Sequence, residues 1–309
     1  VNGQPRPIIH LSVPAFPLTI PADLLSDKIR QKLADFHRQH LYEKEIRSLS
    51  YSETEEGVRL DDVIAGKEIE VNEGKFLLYE RPLELLVSNS DEVHSEYLAS
   101  LTFCRQQTEF EPHPDVRSIL EYEPDRICFL DIETTGLGTG AAFLVGLITW
   151  DTGSLTLRQL LARDYSEEPP LLAYLAALFD RYEAMVSFNG KSFDLRYIQE
   201  RLIANGIPYF VEFDHLDLLH EGRRHWKHEL PNCRLQTLEK HISGRERIGD
   251  IPGADIPDAY HDFVKSGDAR QIKEIVHHNA LDLITLVEVL SCVLRRPPVK
   301  SRKRKNPTN

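Results

Sequence analysis

The chain has 309 residues, 41% of them hydrophobic, four cysteines, and a formal net charge of −12 from 37 basic and 49 acidic side chains. That balance, with a negative mean hydropathy, excludes a disordered chain and a membrane-embedded one. The cysteines are too few for a disulfide scaffold, no two form a Cys-x-x-Cys pair, and no uninterrupted apolar run is long enough to cross a bilayer.

The length allows one large domain or two modest ones with a proper core. Between Val1 and Ile20 the apolar residues are broken by Pro5, Pro7, Pro14 and Pro17, a poor signal peptide. The first residue is not Met, which fits a processed or trimmed chain, and a reduced, cytoplasmic protein is expected. From Arg295 to Asn309 there are seven Lys or Arg residues and no acid, so the rest of the chain carries 30 bases and 49 acids, a balance of −19. An acidic body argues against electrostatic coating by nucleic acid. The basic tail, with Pro297, Pro298 and Pro307, reads as disordered: either a solvated tail or an arm that contacts phosphates.

Taken in chain order, residues 22–50 are expected to be helical, with Leu24, Leu25, Ile29, Leu33, Phe36, Leu41 and Ile46 on one stripe. Ile69–Leu78 and Glu84–Ser88 read as short strands. Glu121-Tyr122-Glu123-Pro124 reads as a boundary. Strands are expected over 127–132, 143–150 and 155–162, the last two joined as a hairpin by Asp151-Thr152-Gly153. A helix over 169–182, a buried strand over 184–188 and a helix over 193–205 follow, the last ended by Gly206. A short strand ends near Asp217, two or three helices come next, and a long helix runs from about 271 to 294. This order predicts a mixed sheet with helices on its faces.

Three acidic motifs stand out, at the end of a strand, at the start of a helix and within the last helix. Asp131 and Glu133 close the first strand of that α/β region and point to one face, because strand side chains alternate. Two such carboxylates repel unless a cation lies between them, and hard divalent ions favour oxygen ligands. A solvent-facing pair is the plainer alternative, but this pair ends an apolar strand and runs into Thr134-Thr135-Gly136. Asn189-Gly190 turns the chain after a buried strand, and Asp194 enters the first turn of a helix. There an acid also simply favours the helix dipole. On the last helix Asp282 is flanked by Leu281, Leu283 and Ile284, so it needs a partner. His278 precedes it by four residues and lies about 40° away; His277 lies about 140° away in an unbroken helix.

In this order the motifs Asp-x-Glu, Asn-Gly-x-x-Phe-Asp and His-Asn-x-x-Asp resemble the DEDD exonuclease superfamily. The stretches 216–220, 226–239 and 250–257 resemble the YprB-type ribonuclease-H-like proteins of bacteria, as does 73–78 more weakly. The resemblance implies an α/β fold, a ribonuclease-H-like mixed sheet flanked by helices over 123–294. An N-terminal α+β accessory region would occupy 1–122 and the basic tail 295–309. It implies a 3′→5′ exonuclease that hydrolyses DNA or RNA, single-stranded 3′ ends above all, with two Mg²⁺ or Mn²⁺ ions. Asp131, Glu133, Asp194 and Asp282 would hold the metals. His278 would be the general base, with His277 as the alternative, since the superfamily places His five residues or Tyr four residues before the last Asp. Thr134, Leu137, Asn189 and Phe193 would line the substrate cleft. A scaffolding subunit that keeps the fold and binds nucleic acid without cutting is the alternative.

Gly136-x-Gly138-x-Gly140 lacks dinucleotide-binding spacing and precedes a strand instead of a helix. Arg223, Arg224, Trp226, Lys227 and His228 form a basic, aromatic cluster: a phosphate-binding, base-stacking surface or a solvated helix face with a buried Trp. His225 and His228 have no matching zinc ligands nearby. The four cysteines read as small buried residues, and Asp217 as a structural acid.

Overall fold

The apolar run Ile127–Thr134 forms a central strand, β3, of a seven-stranded mixed sheet. The other strands are β1 (Lys67–Val71), β2 (Gly74–Pro82), β4 (Ala142–Asp151), β5 (Ser154–Leu161), β6 (Ala184–Ser187) and β7 (Asp214–Asp217). Their spatial order is β1-β2-β5-β4-β3-β6-β7. The first five are mutually antiparallel, while β6 pairs parallel with β3 and β7 parallel with β6. The helices are α1 (Leu60–Val63), α2 (Ser90–Gln106), α3 (Pro114–Leu120), α4 (Glu168–Phe179), α5 (Asp194–Ala204), α6 (Leu218–Trp226), α7 (Leu235–Ile242), α8 (Ile256–Ser266) and α9 (Arg270–Arg295). This computed structural model describes residues 57–86, 89–136 and 140–297. The helix expected over 22–50, Leu137 and the tail beyond Pro297 lie outside the described residues.

The middle strands are buried on both faces, which is why 127–132, 143–150 and 155–162 read as near-continuous apolar runs. Asp151 pairs with Ser154 across the expected hairpin. The parallel strands need crossovers, supplied between β5 and β6 by α4 and between β6 and β7 by α5. Gly206 adopts φ 68° just past α5, a left-handed conformation that costs glycine little.

Two expectations for the first hundred residues are corrected. Ile69–Leu78 is a hairpin, with Val71 opposite Gly74 and the turn at Asn72 and Glu73. Glu84 belongs to a single 3-10 turn, Leu83–Leu85. Pro82 ends the strand before it, having no N–H to continue a ladder; Val87 and Ser88 lie outside the described residues. The described part of the expected accessory region, from residue 57, contributes to this sheet and its core. β2 pairs with β5, and Tyr97 and Leu101 of α2 join one buried cluster with Leu286 and Leu290 of α9.

α9 is long and apolar enough to span a bilayer by length and composition, but 78% of its apolar window is buried inside the fold. It is apolar nearly all round because it lies against the sheet, α2, α7 and α8.

Candidate active site

β3 divides its side chains between two cores. Cys128, Leu130 and Ile132 enter one cluster and Ile127 and Phe129 the other, so Asp131 and Glu133 share the second side. The register with β4 shifts between Glu133 and Thr134, an irregularity that re-aims the strand end.

Asp194 opens α5 and is 5% exposed; Asp282 comes from α9. The four carboxylates feel one another. Burial, then the charges of Asp282, Glu133 and Asp194, pushes Asp131 well above the ordinary carboxylate range. Burial raises Glu133 to about 8, opposed by His278 and reinforced by Asp282 and Asp194. Burial raises Asp194 to about 7 against hydrogen bonds from the backbone amides of Asp194 and Ile132. Burial also raises Asp282, against the opposing charges of Arg247 and His278.

Asn279 fixes Asp131. Its Nδ2 donates to Asp131 Oδ2 at 2.7 Å and its Oδ1 accepts from Gln159 Nε2 at 2.8 Å. Gly146, opposite Asp131 on β4, makes room: a Cβ there would lie 2.1 Å from Asn279 Oδ1. On the other strand, Asn189 turns the chain with φ 66°, and its N–H donates to Asp217 Oδ1 at 2.8 Å. Asp217 also caps α6 by accepting from Leu219 N at 3.0 Å, the structural task expected of it.

His278, 7% exposed, lies between two acids. Its Nδ1 is 2.8 Å from Asp250 Oδ1 and its Nε2 3.5 Å from Asp282 Oδ2. Burial alone would lower its pKa, but the Asp250 hydrogen bond and the charges of Asp282 and Glu133 raise it. His277 is half-buried, and burial lowers it to about 4. A buried guanidinium, Arg247, ties this side together. It donates to Asp282 Oδ1 at 2.5 Å, Glu239 Oε2 at 2.7 Å and Asp250 Oδ2 at 3.2 Å.

Asp131, His278 and Asp282 line a cleft of about 670 Å³ together with Asn189, Arg223 and Arg234. Glu133, Asp194, Thr134 and Phe193 are not part of that lining. Thr134 closes β3 and donates from Oγ1 to Gly136 O at 3.1 Å; Phe193 packs against Tyr197, their ring centres 5.4 Å apart. Trp226 is fully buried under the Arg296 guanidinium, 4.7 Å from its ring centre, so it offers no face to a base. Two cysteines, Cys104 and Cys128, are buried as expected, while Cys233 and Cys292 are half-buried and Cys233 lines the cleft. Among the described residues, His113, Asp115 and Glu221, none of them one of the four acids, bring their ligand atoms within 4.8 Å of one another. Arg224 pairs with Glu221 and lies 3.9 Å from Asp115, which Lys191 approaches at 3.6 Å, so two cations already serve that group.

Sequence reasoning did not assign roles to Asn279, Gln159, Gly146, Arg247, Glu239 or Asp250. Asn279 and Asp250 stand inside the motifs quoted above and could have been found there. Arg247 has no local signal, because its partners are far apart in sequence.

A mixed sheet with a long helix laid across it and acids at the end of its central strand defines a ribonuclease-H-like α/β protein. The family model of the RNase_H superfamily matches residues 128–293, and the chain belongs to that superfamily. Over 173 residues it is 35% identical to the uncharacterized protein YprB of Bacillus subtilis (strain 168). That match covers 54% of this chain and 42% of the relative, so the chain spans less than half of that relative's length. Among solved structures it is similar to the family B DNA polymerase of the archaeon Pyrobaculum calidifontis, with TM-score 0.44 and 14% identity, covering 56% of this chain and 25% of that one. It is also similar to the Aedes aegypti Nibbler EXO domain, with TM-score 0.29 and 17% identity, covering 64% of this chain and 91% of that one.

Proposed function

We propose that the chain is a metal-dependent nuclease of the DEDD type, a 3′→5′ exonuclease acting on single-stranded ends of DNA or RNA. One observation carries the reading. Four carboxylates, Asp131, Glu133, Asp194 and Asp282, are crowded at the end of β3, and among the described residues no Lys or Arg pairs with the first three. Such a set must be neutralised by protons or by cations. An all-oxygen donor set suits Mg²⁺ or Mn²⁺. Bound there, two such ions would supply Lewis-acid stabilisation of the attacking and leaving oxygens of a phosphodiester.

The chain's own groups supply the rest. Asn279 holds Asp131 in one orientation. With Nδ1–H given to Asp250, His278 keeps Nε2 as the acceptor for a proton from water. Asn189 lies at the cleft with Asp131, while Thr134 closes β3 and Phe193 immediately precedes α5.

Oligonucleotides labelled at the 3′ or the 5′ end, incubated with Mg²⁺ or Mn²⁺ and then with EDTA, test the reading. Metal-dependent loss of the 3′ label ahead of the 5′ label is expected, with Asp131→Asn binding but not cutting. No metal-dependent cleavage of single strand, duplex or RNA would remove the enzyme reading, and an internal ladder would make it an endonuclease. The Arg247–Asp282 pair favours a second reading, a nucleic-acid-binding subunit whose fourth acid is held by arginine instead of metal. That subunit would bind strands and gain no stability from Mg²⁺ or Mn²⁺.

A further inference from the structure

In this acidic protein buried Arg158 and half-buried Arg163, Arg201, Arg245 and Arg247 are spoken for, each in an ion pair. Two arginines on the cleft are different. Arg223 and Arg234 both line it, both are exposed, and among the described residues neither has an ion pair or a side-chain hydrogen bond. They share that lining with Asp131 and Asp282 and pair with neither, so the fold does not use them to offset those acids.

Their placement is built. On α6, Leu218, Glu221, Gly222 and Trp226 face inward, which turns Arg223 outward. Gly222 lets α7 come close, since a Cβ there would lie 3.0 Å from Leu238 Cδ1. That contact sets the 232–234 turn beside α6. Within the turn Asn232 Oδ1 accepts from Arg234 N at 3.0 Å and from Thr237 Oγ1 at 2.7 Å, fixing the backbone that carries Arg234 just before α7.

We propose that Arg223 and Arg234 are a phosphate clamp, gripping the sugar–phosphate backbone of a nucleic-acid strand that enters the cleft. This rests on the nuclease reading and adds the residues that hold the strand. A guanidinium offers a planar fork of donors to a phosphate, and it does so without reading the base. The clamp therefore treats DNA and RNA alike and acts on binding, not on the chemical step.

The test uses the full chain carrying Asp131→Asn in Mg²⁺, with fluorescein-labelled oligo(dT) and oligo(U) strands, and reads affinity by anisotropy across a salt series. Each phosphate contact on a single strand contributes about 0.7 to the slope of log affinity against log salt. Arg223→Ala with Arg234→Ala should reduce the slope by about 1.4 on both strands. The paired Lys variants should restore it, and Lys265→Ala, on exposed α8 surface away from the cleft, should leave it unchanged. An unchanged slope in the double Ala variant, a loss equal to that of Lys265→Ala, or a loss on only one strand type overturns the clamp while the nuclease reading stands. Failure of the parent chain to bind either strand removes both.

Discussion

Without divalent cations, the folded chain should lose stability as pH rises from about 6.5 to about 8, and Glu133 should contribute to the fall. Glu133 ionises near 8 when folded, against an ordinary value of 4.5. A group raised in this way keeps its stabilising effect below its unfolded value and loses it as pH rises through its folded value. Asp194, at about 7 against 3.8, acts with the same sign. His215 and His277, both lowered by burial to about 4 from 6.5, act oppositely, but only below about pH 6.5. Above that, Glu133 and Asp194 act together with Asp131 and His278, both also raised, and all four lower stability as pH rises. One proton retained by the folded state changes stability by about 1.4 kcal/mol per pH unit, so Glu133 accounts for about 2 kcal/mol across the interval. For a unit of this size that is on the order of 5 °C in melting temperature. Calorimetric melting in EDTA should show this fall, and Glu133→Gln should make it shallower and melt higher than the parent near pH 8. Mg²⁺ or Mn²⁺ should stabilise the parent more at the upper pH, because protons compete with the ions for the same oxygens. A parent that melts at the same temperature throughout in EDTA, or gains equally from metal at both ends of the interval, would refute the crowding argument.

Three substitutions probe the supports of the site. Gly146→Ala places a methyl group 2.1 Å from Asn279 Oδ1, so Asn279 must leave Asp131; calorimetry should read a loss of about 1–3 kcal/mol together with weakened metal stabilisation. Arg247→Ala strips the counter-charge from Glu239, Asp250 and Asp282 and should cost about 3–5 kcal/mol in urea unfolding, with Arg247→Lys recovering only part because an ammonium lacks the fork. Asp250→Asn should lower turnover about 10²-fold or more while the metal-induced rise in melting temperature persists, since it disorients His278 and leaves the four acids intact.

What the sequence made legible follows from what is local. β3, β4 and β5 declared themselves as apolar runs, and α5 by its acid at the start and Gly206 past its end. The acids of the site were legible because each stands at the end of an element or inside an apolar helix, where a charge is out of place. The β1–β2 hairpin was not, although Asn72-Glu73-Gly74 uses the same turn chemistry as Asp151-Thr152-Gly153. The flanking Ile69–Val71 and Phe76–Leu78 are short, and edge strand β1 is half-exposed, so no strong apolar run marks two strands. α2 has mean polarity close to neutral and buries only a narrow face, so it left no clear stripe. The Asn279–Gly146–Gln159 support joins three elements through side-chain shape, and the Arg247 network joins α7, a loop and α9. Neither has a pattern within any one segment.

Net charge alone misleads about this protein. Its acid surplus is not what sets the cleft apart, because most of the buried acids are answered inside the fold: Glu167 by Arg163, Glu168 by Arg201, Glu239 by Arg245 and Arg247. The exceptions are concentrated. Among the described residues, Asp131 is met by a neutral amide and its neighbours Glu133 and Asp194 by no arginine or lysine, and at the cleft that Asp131 lines Arg223 and Arg234 are met by no acid. Opposite charges left unmatched within one cleft would ordinarily relax toward each other. Here the acids are fixed by β3, α5 and α9 and the arginines by α6 and the turn before α7, so they cannot. A phosphodiester strand with divalent cations satisfies both sets at once, the cations meeting the acids and the phosphates meeting the arginines. A cation alone would leave the arginines unanswered, and a strand alone would face the carboxylates.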